Sequence, residues 1–152
     1  MINMRTILFS TDFSETSKYA FEYALQFAEE FAAKLEIIHV QVDESQVIAL
    51  YMPEVTLQNV NKEIEEAARQ QLDDFLAPYS ERLSKVRYET KLIKGTPYIK
   101  IIDAARDYDA DMVVIGTHGR TGVEHVLFGS TAEKVVRKSP CPVFTVNLKN
   151  KK

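Results

Sequence analysis

Residues 116–131, GTHGRTGVEHVLFGST, decide how this chain is read. The 152 residues include five glycines, and four of them (Gly116, Gly119, Gly122 and Gly129) lie in that window. Glycine gathers where a backbone takes positive φ or approaches a ligand closely, because it has no Cβ to clash. An apolar run, MVVI at 112–115, leads in, and TAEKVVRK at 131–138 has the pattern of a short helix. A strand ending in a glycine-rich turn that feeds a helix is a ready anion site, since unpaired N–H groups and the positive end of the helix dipole converge there.

Outward from that window the chain alternates strands with helices. TILFS at 6–10 is a buried first strand, followed by Ser14 as N-cap and Glu15 in a first turn. Ala20, Tyr23, Ala24, Phe27, Ala28 and Phe31 then recur at helical spacing. LEIIHVQV at 35–42 is the second strand, and strand, helix, strand in succession signals a βαβ unit. Residues 43–59 break the pattern, with Pro53 interrupting Val47, Ile48, Leu50, Tyr51 and Met52. They read as a long loop with four readings open to it: a lid, an interface, a partly disordered segment, or an insertion packed over its own helix. Helical spacing returns over 61–83 through Ile64, Ala68, Leu72, Phe75, Leu76, Tyr79 and Leu83, with Pro78 expected to kink or end it. VRYETKLI at 86–93 is a third strand whose charges fit a sheet edge. Pro97 opens a helix through Ile99, Ile102 and Ala105, residues 112–115 form a fourth strand, and 143–147 the last.

Five strands alternating with helices predict an α/β fold: one doubly wound, five-stranded parallel sheet with helices on both faces, in a single domain over 1–152. Ligands on such sheets bind outside the carboxyl ends of the strands, where strand order reverses. With strands one and four as central neighbours, Asp12 and Gly116 lie side by side at that crevice. A net charge of −3, with 27% charged and 45% hydrophobic residues, is ordinary for a soluble domain and calls for neither nucleic acid nor membrane. No apolar run reaches the roughly 20 residues of a membrane span, and MINMRTILF lacks the features of a signal peptide. The single Cys141 excludes an internal disulfide; a cytoplasmic location is the expectation.

The glycine stretch is not a Walker A loop, because the chain has no Gly-Lys dipeptide, and its G-x-x-G-x-x-G spacing is not G-x-G-x-x-G. It matches G-x2-G-x9-G-[ST] through Gly116, Gly119, Gly129 and Ser130. In this pattern, and in ILFSTDFSETSKYA, IIHV, DMVVIGTHGRTG and GSTAEKVVRKSPCPVFTV, the chain resembles the universal stress protein family in its nucleotide-binding branch. The resemblance implies a Rossmann-like sheet of order 3-2-1-4-5 that binds ATP at the strand ends. It implies that Asp12 accepts from the ribose hydroxyls and that Ser10 and Val40 contact adenine. Backbone amides of Gly116, Thr117, His118, Gly119, Arg120, Thr121 and Gly122, with those of Gly129, Ser130 and Thr131, would hold the phosphates, and Mg²⁺ or Mn²⁺ would bridge them. It also implies a homodimer joined through the last strand, Val143–Val146.

Each of these residues has a plainer reading beside the functional one. Any single glycine serves a turn, and the joint spacing is what points to a cradle. Ser130 with Glu133 three residues on reads as a capping box. Asp12 reads equally as a turn carboxylate. His118 and Arg120 read either as phosphate contacts or as solvated loop residues. His39, His118 and His125 have no metal-ligand spacing, Cys141 reads as a packed small residue, and Asp103, Asp107, Asp109 and Asp111 as a solvated helix end. Three function classes follow: a regulatory ATP-binding module, with no residue assigned a catalytic role; a slow ATPase, autokinase or adenylate-transferring enzyme using the same site; and a dimeric scaffold with incidental nucleotide.

Overall fold

The structure is a computed structural model and describes residues 1–52, 57–118 and 128–148. Its framework is a five-stranded sheet of β1 (Thr6–Ser10), β2 (Lys34–Gln41), β3 (Tyr88–Lys94), β4 (Met112–Gly116) and β5 (Val143–Val146). The spatial order is β3-β2-β1-β4-β5, and every pairing is parallel, as expected from the sequence.

Period-two alternation along the central strands splits the core into two layers. Ile7, Phe9, Ile37 and Val114 face α1 (Glu15–Phe31) and the C-terminal half of α3 (Leu57–Leu76). Leu8, Ile38 and Val113 face α5 (Pro97–Asp107) and α6 (Ser130–Lys138). Both faces of β1 and β4 are therefore covered, which is why these strands read as unbroken apolar runs. β3, at one edge, is exposed over residues 88–91 and at Lys94, with only Leu92 and Ile93 half-buried.

The helices differ from the sequence expectation in ways that have physical causes. Ser14 does cap α1, its hydroxyl accepting from the Ser17 amide at 3.1 Å. The buried stripe of α1, however, runs through Ala20, Phe21, Ala24, Leu25 and Ala28. Tyr23 and Phe27 are half-buried beside Phe144 at the β5 edge, with ring centroids 5.4 and 5.0 Å away, and Phe31 is exposed. Ile99 is likewise exposed, and Ile101, Ile102, Ala104 and Ala105 bury α5 instead. The helix expected over 61–83 begins earlier, at Leu57, and stops at Leu76; Pro78 follows in a 3-10 turn, Ala77–Tyr79, before the short α4 (Ser80–Leu83). Proline has no N–H to donate and its ring clashes with the preceding turn, so the helix breaks there. The long loop expected over 43–59 is corrected in part: Ser45–Tyr51 forms α2.

At the amino ends of the strands, Asp111 settles how the sheet is registered. Its Oδ2 accepts from the Arg5 and Thr6 amides at 2.7 and 2.9 Å, and its own amide donates to the Thr6 carbonyl at 2.8 Å. Of the four aspartates read as a solvated helix end, this one is a structural clamp.

Candidate functional site

At the carboxyl ends of β1, β2 and β4 the sheet opens into a cleft of about 490 Å³. This is the switch point, where chain order leaves β1 toward β2 on one side and β4 on the other. Ser10, Asp12, Val40, Gly116, Thr117, His118, Gly129, Ser130 and Thr131 all line it. Thus nine residues dispersed over the sequence are brought to one concavity. The remaining expected contacts, Gly119, Arg120, Thr121 and Gly122, lie outside the described residues.

The β1–α1 turn is fixed from several sides. Thr11 is buried; its amide donates to the Ile38 carbonyl at 2.9 Å, and its carbonyl lies 2.7 Å from His39 Nδ1. The Thr11 hydroxyl accepts from the Phe13 amide at 3.0 Å and from the Ser17 hydroxyl at 2.7 Å. Asp12 Oδ1 accepts from the Ser14 amide at 3.0 Å, so the turn role of this carboxylate is real whatever else it meets. Phe13 sits at φ 66°, uncommon for an aromatic residue, with its ring centroid 4.3 Å from that of His39.

On the β4 side, Gly116 is required by packing. A Cβ there would lie 2.8 Å from Thr16 Cγ2 on α1, inside van der Waals contact. Beyond it the Thr117 amide donates to the Val146 carbonyl at 2.9 Å, and the Gly129 amide donates to the Thr117 carbonyl at 2.6 Å. Two amides expected to face phosphate are therefore already bonded to backbone. The capping box also does not form: Gly129 is the N-cap and contributes no side-chain hydrogen bond, Ser130 is the first helical residue, and Glu133 pairs with Arg137 at 2.8 Å. The amides of Ser130, Thr131 and Ala132 begin α6 at the cleft, where intrahelical acceptors do not exist.

The opposite wall was not read from the sequence. Gln41, Val42, Asp43, Glu44, Ser45 and Ile48 line it, with Asn61 and Ile64 of α3 and with Lys94 and Pro97. Asp43 Oδ1 accepts from the Ser45 amide at 3.0 Å and starts α2. Its carboxyl is held below the usual carboxylate range by hydrogen bonds from the Ser45 side chain and backbone, with a weaker pull from Lys94. A signal for this helix was available: an aspartate two residues before a serine, ahead of VIALY, is a common start to a helical turn. Cys141 is half-buried against the α5–α6 layer, and burial pushes its thiol pKa up, away from a nucleophile's range. No group of three or more His, Cys, Asp or Glu suited to a metal ion occurs among the described residues.

The fold and the cleft define a doubly wound α/β domain with a ligand crevice at its switch point. Comparison with known proteins carries this further. Residues 3–147 match the family described as the universal stress protein family, and the chain belongs to it. Universal stress protein MJ0577 of Methanocaldococcus jannaschii is 28% identical over 156 residues, covering 96% of each chain. The solved structure of MJ0577 superposes with a TM-score of 0.83 at 26% identity, covering 99% of this chain and 100% of that one. A universal stress protein in complex with cAMP aligns at a TM-score of 0.65 and 23% identity, covering 96% of this chain and 98% of its own. Another, from Archaeoglobus fulgidus in complex with dAMP, aligns at 0.62 and 18%, covering 96% and 99%. At these last identities the likeness is one of fold.

Proposed function

We propose that this protein is an ATP-binding regulatory module that acts in the stress response, in the cytoplasm and as a homodimer. One observation carries the reading: a carboxylate, Asp12, and the first-turn amides of Ser130, Thr131 and Ala132, which have no intrahelical acceptor, border the same cleft. A vicinal diol needs an acceptor and a phosphate needs donors at the positive end of a helix, so these two features suit the ribose and the phosphates of a nucleotide. Its volume falls within the range of small-molecule sites, roughly 300–1,000 Å³. Two proteins of this fold were solved with adenine nucleotides, cAMP and dAMP. In this reading Ser10 and Val40 border the adenine, Asp12 takes the ribose, and Ser130 and Thr131 hold the phosphates together with residues 116–122. Mg²⁺ or Mn²⁺ enters with the phosphates. The bound group supplies charge and shape, and the chain's residues bind it.

Gly129→Asp tests this reading with a built-in control. Aspartate is a preferred N-cap, so thermal stability should hold or rise slightly, while a carboxylate at the phosphate end should weaken ATP by at least tenfold, on the order of 1.4 kcal/mol. Unchanged affinity in a calorimetric titration would remove the phosphate cradle from α6.

The dimer reading rests on β5, an edge strand with half-buried Val143, Phe144 and Thr145. An apolar edge with unpaired backbone groups is a template for a second copy. Sedimentation at micromolar concentration should give the dimer mass; a monomer there would leave this edge to another purpose.

A further inference from the structure

We propose that His39 is the positioning residue for Asp12, setting where its carboxylate meets a sugar hydroxyl; this rests on the ATP reading above. The β1–β2 ladder has its last paired residues at Ser10 and Ile38, and Asp12 lies two residues beyond it. A carboxylate on an unpaired extension of a strand would sample many positions. Here Thr11, its predecessor, is tied to β2 twice: through its amide to the Ile38 carbonyl at 2.9 Å, and through its carbonyl to His39 Nδ1 at 2.7 Å. A carbonyl can only accept, so Nδ1 carries the proton in this contact. The His39 side chain thus continues, past the end of the ladder, the hold that the backbone exerts within it.

The same ring also holds the residue after Asp12. Phe13 takes φ 66°, a conformation that persists in a bulky side chain only where its surroundings fix it. Those surroundings are the His39 ring at 4.3 Å and the Phe75 ring at 6.0 Å between centroids. His39 therefore holds both chain neighbours of Asp12, Thr11 by a hydrogen bond and Phe13 by ring packing. It lines the cleft as well, as Asp12 does.

The test compares ATP with 2′,3′-dideoxy-ATP, which lacks the hydroxyls, in wild type, His39→Leu and His39→Asn. Leucine keeps bulk and loses the donor, whereas the asparagine amide places a donor close to where Nδ1 stands. The expected result is an ATP to dideoxy-ATP affinity ratio about tenfold lower in His39→Leu, the worth of one misaligned hydrogen bond to a charged acceptor. Dideoxy-ATP affinity should stay within about twofold, and His39→Asn should keep the wild-type ratio. If His39→Leu does not fold, His39→Gln, which displaces the donor by one bond, is scored by the same ratio. Wild-type binding with an unchanged ratio in the variant overturns this inference alone, as does an equal loss for both nucleotides. Wild-type protein that takes up neither nucleotide overturns the ATP reading and this inference together.

Discussion

The β1–α1 turn and helix α2 border the same cleft, yet they are held by very different amounts of structure. In the turn, Thr11 is 3% exposed, Thr11, Asp12, Phe13 and Ser14 each take part in a hydrogen bond, and the Phe13 ring packs on His39 and Phe75. In α2 no residue is buried, and Val47, Leu50 and Tyr51 are 56%, 75% and 77% exposed. Local stability follows buried apolar contact, so the turn is the more firmly held of the two walls and α2 the more weakly held.

Two substitutions sharpen that contrast. The larger effect is expected at Gly116, where a Cβ would press on Thr16 Cγ2 at 2.8 Å and on the α1 backbone at 3.4 Å. Gly116→Ala should cost about 1–3 kcal/mol in urea unfolding, and adding Thr16→Ser, which removes Cγ2, should return most of it. A neutral Gly116→Ala would mean that α1 rides freely over β4 and that the first wall is softer than described. On the other wall Leu50→Ala should change unfolding by about 0.5 kcal/mol or less, because little apolar surface is lost from an already exposed side chain. A loss on the order of 2 kcal/mol would show that α2 is packed against something in solution, and the contrast would fail.

What could be read in advance follows the same division. Strand β1 was legible to the residue, and β2 and β4 to within one or two, because burial on both faces selects the apolar runs at 7–9, 37–38 and 112–115 that mark the strands. The resemblance in the glycine pattern and strand ends then named the family and nine of the residues that line the cleft. Helix α2 was illegible because Val47, Leu50 and Tyr51 are exposed and none of its residues is buried, so hydrophobic periodicity had no core to report. On α1 the aromatic residues misled: Tyr23 and Phe27 share the helical spacing but lie beside Phe144 at the sheet edge, while Phe21 and Leu25 fill the core. The Ser130–Glu133 box failed for a local reason. Gly129 already occupies the cap with φ −67° and ψ 161°, and an arginine one turn on engages the glutamate.

The clamp at Asp111 also bears on the order in which the molecule can be assembled. One carboxylate holds the Arg5 and Thr6 amides, which were made 106 and 105 residues earlier in the chain. β1 is the middle strand of the sheet, with β2 on one side and β4 on the other. During synthesis β1 leaves the ribosome well before β4 and Asp111, so half of its partners, and the residue that sets its starting point, arrive about a hundred residues later. Such long-range closure is slow, so the centre of this domain is completed late, and the βαβ unit from β1 to β2 waits, one flank open, for the rest.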